Sequence, residues 1–175
     1  QAKIDGTRAY SAEVVLYDRY SESREEIGKK LASEQGAELI RPYDDARVIA
    51  GQGTAGLEIA TQAKAAGFTP DSFICCCGGG GLMAGSATAL HDAFENTHLY
   101  TAEPADFDDM ARSLASGKRQ QNDVSARSIC DAIVTPTPGE ITFPIIASLA
   151  RAGLSVSDEE ALQAMRLGCF CLRGR

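Results

Sequence analysis

Nowhere does the chain hold an uncharged apolar run of about 18 residues, the length an ordinary membrane-spanning helix needs. Its first residues, Gln1-Ala2-Lys3-Ile4-Asp5, lack a signal peptide's apolar core. They also lack an initiator methionine, so the expectation is a chain that begins inside a longer protein or was processed. There is no internal repeat, no low-complexity segment and no basic excess. The net charge of −7 argues against a nucleic-acid surface and against an anionic membrane partner. Zinc-type spacing is missing too. Cys75, Cys76 and Cys77 are consecutive, and strand neighbours point to opposite faces, so they cannot converge on one ion. Cys169 and Cys171 have a single residue between them, which fits the usual zinc spacings poorly. The six cysteines therefore read as reduced, buried thiols, and a reducing cytoplasm is the expected compartment.

What is present is an ordinary globular composition, 44% hydrophobic over 175 residues, enough for one domain or one domain plus part of another. Helical and strand periods alternate, which predicts an α/β sheet. Residues 2–11 read as a helix end, Glu13–Tyr17 as a short strand, and Ser21 as the start of an acid-led helix that Gly36 terminates. Glu38–Arg41 is a second strand candidate, with a domain crossing at Pro42–Asp45. A long helix is expected over 47–66, although Gly51 and Gly53 each weaken it by ~1 kcal/mol relative to alanine, so close approach of another segment or a ligand is expected there. Phe73–Cys77 is a continuous apolar strand of the kind buried on both faces. A helix over 82–94, a strand over 99–102, helices near 107–116 and 141–150, and a strand running into an acid-started helix over 154–160 complete the pattern.

The chemistry centres on Gly78-Gly79-Gly80-Gly81, between a strand and a helix. Glycines let backbone N–H groups converge with no Cβ in the way, and the following helix adds its unpaired donors and positive dipole end. The nearest following lysine is Lys118, so this is not the NTPase loop. Gly79-x-Gly81-x-x-Ala84 also fits the dinucleotide fingerprint, with Glu103 where a ribose-binding carboxylate belongs. On these residues alone NAD and a phosphorylated cofactor stay close to even. Glu103, Asp106, Asp108 and Asp109 then form an acidic cluster, either a negatively charged helix start or a hard-cation site. His91 and His98 flank a helix end and read as solvated or capping residues.

Three strings taken together, Val48-Ile49-Ala50-Gly51-Gln52-Gly53-Thr54, Cys77-Gly78-Gly79-Gly80-Gly81-Leu82-Met83-Ala84-Gly85 and Ala102-Glu103-Pro104, resemble the threonine dehydratase/serine racemase family of pyridoxal-phosphate (PLP) enzymes. Pro138–Pro144 and Leu154–Glu160 extend the likeness over about residues 1–165, most closely to bacterial threonine and hydroxy-amino-acid dehydratases. The resemblance implies part of fold type II, a tryptophan synthase β-like parallel sheet flanked by helices. Residues 1–43 would belong to its small domain and 44–175 to most of the large one. It implies PLP phosphate on Gly78, Gly79, Gly80, Gly81 and the N–H of Leu82. It also implies Mg²⁺, Mn²⁺ or Ca²⁺ on Glu103, the Phe107 carbonyl and Asp109. The parent activity would be ammonia-lyase chemistry on a threonine- or serine-like amino acid, with racemisation as the close variant.

No catalytic residue is carried over. The family's Schiff-base lysine lies in a Ser-Phe-Lys-x-Arg-Gly-like context, and Lys3, Lys29, Lys30, Lys64 and Lys118 lack that context and read as surface residues. The Ser-x-Asn-His segment is absent. Ala132 stands where relatives have Gly, and the tail after Met165 departs, with Cys171 as the remaining candidate for a pyridine contact. The expectation is a fragment that is inactive alone and self-associates. A non-catalytic truncated module and an NAD-binding domain are the alternatives.

Overall fold

A computed structural model describes residues 1–18 and 21–172, the last three of these as backbone only. The expected Cys171 contact lies outside what is described. Chain contacts divide the molecule into two units, Gln1–Leu39 and Ile40–Arg175.

The first unit holds two helices, α1 (Ala2–Ala9) and α2 (Arg24–Gln35). The cap of α2 is Ser23 rather than Ser21, its side chain accepting from Glu26 N at 3.3 Å. Ser23-x-x-Glu26 is the spacing of a capping box, a signal the acid-led reading of Ser21 overlooks. Gly36 closes the helix in the left-handed region at φ 64°, as expected. Ile27, Leu31 and Ala32 are half-buried, and Leu39 packs at Gly28, where a Cβ would stand 3.0 Å from its Cδ1. Glu13–Tyr17 and Glu38–Arg41 form no strand. Both patterns are right for β-structure, but a strand exists only with a ladder partner.

The second unit is an α/β layer of α3 (Ala46–Ala65), β1 (Ser72–Cys76), α4 (Gly81–Ala93), β2 (His98–Pro104), α5 (Asp109–Ser116), α6 (Thr142–Leu149), β3 (Ala150–Val156) and α7 (Asp158–Leu172). The strands lie in the order β1-β2-β3, all parallel, with Phe73 beside Leu99, Cys75 beside Thr101, and Thr101 beside Gly153. The face carrying Cys75, Leu99, Thr101 and Glu103 is buried, its apolar members in a core with Met83, Ala84, Ala87, Leu90, Met110 and Ile146. The opposite face leaves Ile74 58% and Leu154 39% exposed. The expected burial of Phe73–Cys77 on both faces is therefore corrected: helices of this unit cover one face of β1, and Ile74 and Cys76 point away from them.

The glycines inside α3 are half explained. Gly53 and Gly56 meet α4, where a Cβ on Gly56 would stand 2.6 Å from Ser86 O and one on Gly85 would overlap Ile49 O. The two helix backbones touch there, and alanine cannot replace glycine at such a contact. A Cβ on Gly51 would meet nothing within 4 Å among the described residues, so no close approach there accounts for it.

Candidate functional site: the glycine loop and the buried acid pair

Strand β1 delivers the chain to Cys77, whose N–H donates to Ala102 O at 2.9 Å, and the loop turns at once into α4. Gly80 is its N-cap at φ 94°, with no side-chain cap. The N–H groups of Gly81, Leu82 and Met83 thus begin a 13-residue helix with no acceptor inside it. Each glycine also has a close neighbour. Cβ atoms on Gly79 and Gly81 would meet Tyr43, one on Gly78 would meet Ile133 and Thr135, and one on Gly80 would meet Ile146 and Thr142. The loop is fixed from behind, since Gly79 O accepts from Thr142 Oγ1 at 2.6 Å and Gly139 N at 3.2 Å. Asp44 Oδ1 in turn accepts from Ile141 N at 2.8 Å. Tyr43, Asp44 and Thr142 escaped the sequence reading as site residues, although Pro138–Pro144 carried part of the signal.

Below the loop lies an acid pair. Glu103 is 1% exposed and Asp109 wholly buried. Burial pushes the Glu103 carboxyl up to about 8 against the pull of the Ala111 and Met110 N–H groups, which donate to its two oxygens at 2.8 and 3.0 Å. Burial likewise raises Asp109 to about 6, opposed by the Asn122 amide, which donates to Oδ1 at 2.5 Å. Among the described residues Asp109 Oδ2 has no hydrogen-bond partner. Phe107 ends the short 3₁₀ turn Ala105–Phe107 between the two acids. The rest of the cluster is not drawn in. Asp106 is exposed, and Asp108 pairs with Arg112 at 2.7 Å. Among the described residues no group of three His, Cys, Asp or Glu side chains is arranged to hold a metal, so a cation here would need backbone or water oxygens.

Several expectations are settled by position. All five lysines are exposed, and Lys64 lies over the Phe94 ring at 5.3 Å. His91 and His98 are exposed, the latter 2.9 Å from Arg151 Nη1. Ala132 is exposed. The five described cysteines are free, although Cys76 and Cys169 are exposed rather than buried. The ribose role for Glu103 fails, because both its oxygens are engaged by α5 inside the protein.

A parallel sheet, a left-handed glycine and an uncapped helix start make this an α/β protein with a glycine loop that leads into free helix N–H donors. Residues 1–171 match the family described as pyridoxal-phosphate dependent enzyme, and the chain belongs to that family. It is 35% identical over 166 residues to a serine racemase of Schizosaccharomyces pombe, covering 95% of this chain and 50% of the relative. It is 40% identical over 167 residues to an L-threo-3-hydroxyaspartate ammonia-lyase of Pseudomonas sp, covering 94% and 50%. The solved T.th. threonine deaminase superposes with a TM-score of 0.90 at 42% identity, covering 95% of this chain and 54% of that one. The chain thus spans about half the length of the curated relatives it matches. The fold is the fold type II architecture of these enzymes, and pyridoxal phosphate is the cofactor the family implies.

Proposed function

We propose that this chain is the phosphate-binding part of a PLP-dependent enzyme that eliminates water from a β-hydroxy amino acid of the threonine or serine kind, releasing a 2-oxo acid and ammonia. The observation that carries the reading is the uncapped start of α4 behind four glycines. The N–H groups of that turn and of the loop would hold the phosphate, and the buried Thr142–Gly79 bond keeps the loop rigid while they do so. When bound, the cofactor supplies an electron sink for loss of the substrate's α-proton. Tyr43, Thr135 and Thr142 wall the loop and orient what it holds. None of the five exposed lysines belongs to those walls. Racemisation of the same substrates begins with the same proton, and the relatives include both activities. Residues 1–43 would belong to a small domain and 44–175 to most of the large one, a reading supported by the contact division near residue 40. The open sheet face with Ile74 and Leu154 supports self-association. Free cysteines support a reducing, cytoplasmic setting.

The test is a fluorescence titration of the purified chain with deoxypyridoxine 5′-phosphate, which has no aldehyde to react with exposed lysines. Saturable binding, with no 2-oxo acid formed from threonine or serine in a parallel assay with PLP, is the expected result. Binding of NAD in its place would overturn the cofactor assignment, and 2-oxo acid formation would overturn the inactivity of the chain alone.

A divalent cation (Mg²⁺, Mn²⁺ or Ca²⁺) on Glu103, the Phe107 carbonyl and Asp109 is the second part of the proposal. The unpartnered, fully buried Asp109 Oδ2 favours it, since a buried carboxylate oxygen without a donor calls for a positive partner. Magnesium or calcium should raise the melting temperature of the wild-type chain and leave that of Glu103→Ala unmoved. An equal rise in both would remove the site.

A further inference from the structure

Asn122 lies outside every motif, yet its whole side chain is engaged between the acid pair and the glycine loop. Its Nδ2 donates to Asp109 Oδ1 at 2.5 Å and to Thr135 O at 2.8 Å, and its Oδ1 accepts from Arg112 Nη2 at 2.5 Å. Its backbone N–H donates to Pro136 O at 2.9 Å. Arg112 is itself held by Asp108 Oδ1 at 2.7 Å and Gln121 O at 3.1 Å, so the acceptor end of the amide is fixed and the donor end has one orientation. That orientation occupies Asp109 Oδ1 and leaves Oδ2 buried without a partner. On the other side, the Thr135 methyl would stand 3.4 Å from a Cβ on Gly78, and Ile133 Cα 3.2 Å from it. Asp109, Asn122, Thr135 and Gly78 thus form a continuous packed series from the acid pair to the first glycine of the loop. The stretch between them is tied down again where Arg119 Nε donates to Pro138 O at 2.9 Å.

We propose that Asn122 is a positioning residue: it aims the free Asp109 oxygen at a divalent cation and couples that cation to the phosphate held by the glycine loop. The inference rests on the cation and phosphate readings above. It adds a thermodynamic consequence that neither contains: two ligands that favour the same arrangement of one segment strengthen each other, by the same factor in either direction.

The experiment titrates the full chain with deoxypyridoxine 5′-phosphate, by fluorescence, with and without magnesium chloride, and records magnesium-dependent melting alongside. In the wild type, magnesium should tighten the probe on the order of tenfold. Asn122→Ala should bind the probe with an affinity that magnesium no longer changes. Asn122→Leu keeps the side-chain volume and removes every side-chain bond of Asn122, so it should give the same loss without opening a cavity. Ser128→Ala removes a hydroxyl bonded to Asp158 at 2.6 Å, in the same stretch but off the series, and should keep the full coupling. Coupling retained in both Asn122 variants, or lost equally in Ser128→Ala, overturns the proposal. Wild-type melting indifferent to magnesium removes the cation reading and this proposal with it, and absence of probe binding removes the phosphate reading and this proposal with it. Melting that responds to magnesium, with probe affinity that does not, overturns the coupling alone.

Discussion

Replacing Gly80 by alanine should cost about 2–5 kcal/mol of stability and abolish binding of deoxypyridoxine phosphate. Two terms add. A left-handed backbone costs an L-residue about 1–2 kcal/mol, and Gly80 sits at φ 94°. Its Cβ would also stand 2.8 Å from Ile146 Cδ1 and 2.9 Å from Thr142 Oγ1, both fully buried, and overpacking of that kind costs about 1–3 kcal/mol. Relief would require moving Thr142, whose hydroxyl fixes Gly79 O, so the loop would lose its shape as well as its stability. Gly67 provides the comparison: it too is left-handed, at φ 74°, but a Cβ there meets nothing within 4 Å. Gly67→Ala should show only the backbone cost and keep the probe. Urea midpoints of the two variants measure the difference, and equal losses would mean that Ile146 and Thr142 yield freely.

The second large effect is in pH. In metal-free buffer the chain should lose stability between about pH 5 and pH 8. The sign follows from the direction of the shift. The Glu103 carboxyl has its pKa raised from 4.5 to about 8 in the folded protein, so over that interval the folded state holds a proton the unfolded state has released. Its contribution is complete below 4.5 and is lost as pH rises through about 8. Asp109, raised to about 6, acts in the same direction and is exhausted earlier. The expected loss is on the order of a few kcal/mol. Carboxyls held low, such as Asp45 beside Arg47 and Glu160 in its bonds to Ser157, act with the opposite sign, below their own normal range and outside this window. Glu103→Gln should flatten most of the slope. A urea series at about pH 5, 6.5 and 8 that shows the wild type constant would mean that Glu103 is ionised throughout.

How much of this was legible in the residues depends on the range of the interaction responsible. The Gly36 and Asp158–Glu160 helix signals are local: a left-handed cap and an acid-led first turn involve only neighbours in sequence, and the elements formed there. The strand–glycine–helix string was legible for the same reason, since an uncapped helix start is a property of consecutive residues. Glu13–Tyr17 failed because pairing is non-local, and Ile74 because burial on a second face depends on what packs there. In the site, Glu103 and Asp109 could be picked out as carboxylates close in sequence, but not their burial or the free oxygen of Asp109. Tyr43 and Asn122 gave no signal, because their contacts with Gly79 and Thr135 span 36 and 13 positions.

The sequence by itself determined the family, the alternation of helix and strand, and the glycine loop that starts α4, because each is written in short strings whose physics is carried by adjacent backbone. Only the tertiary structure decided that one sheet face stays open and that Glu103 serves α5 rather than a ribose. It also decided that a single asparagine joins Asp109 to Thr135. Those outcomes depend on which distant groups a fold brings within about 3 Å of each other, the range over which hydrogen bonds act.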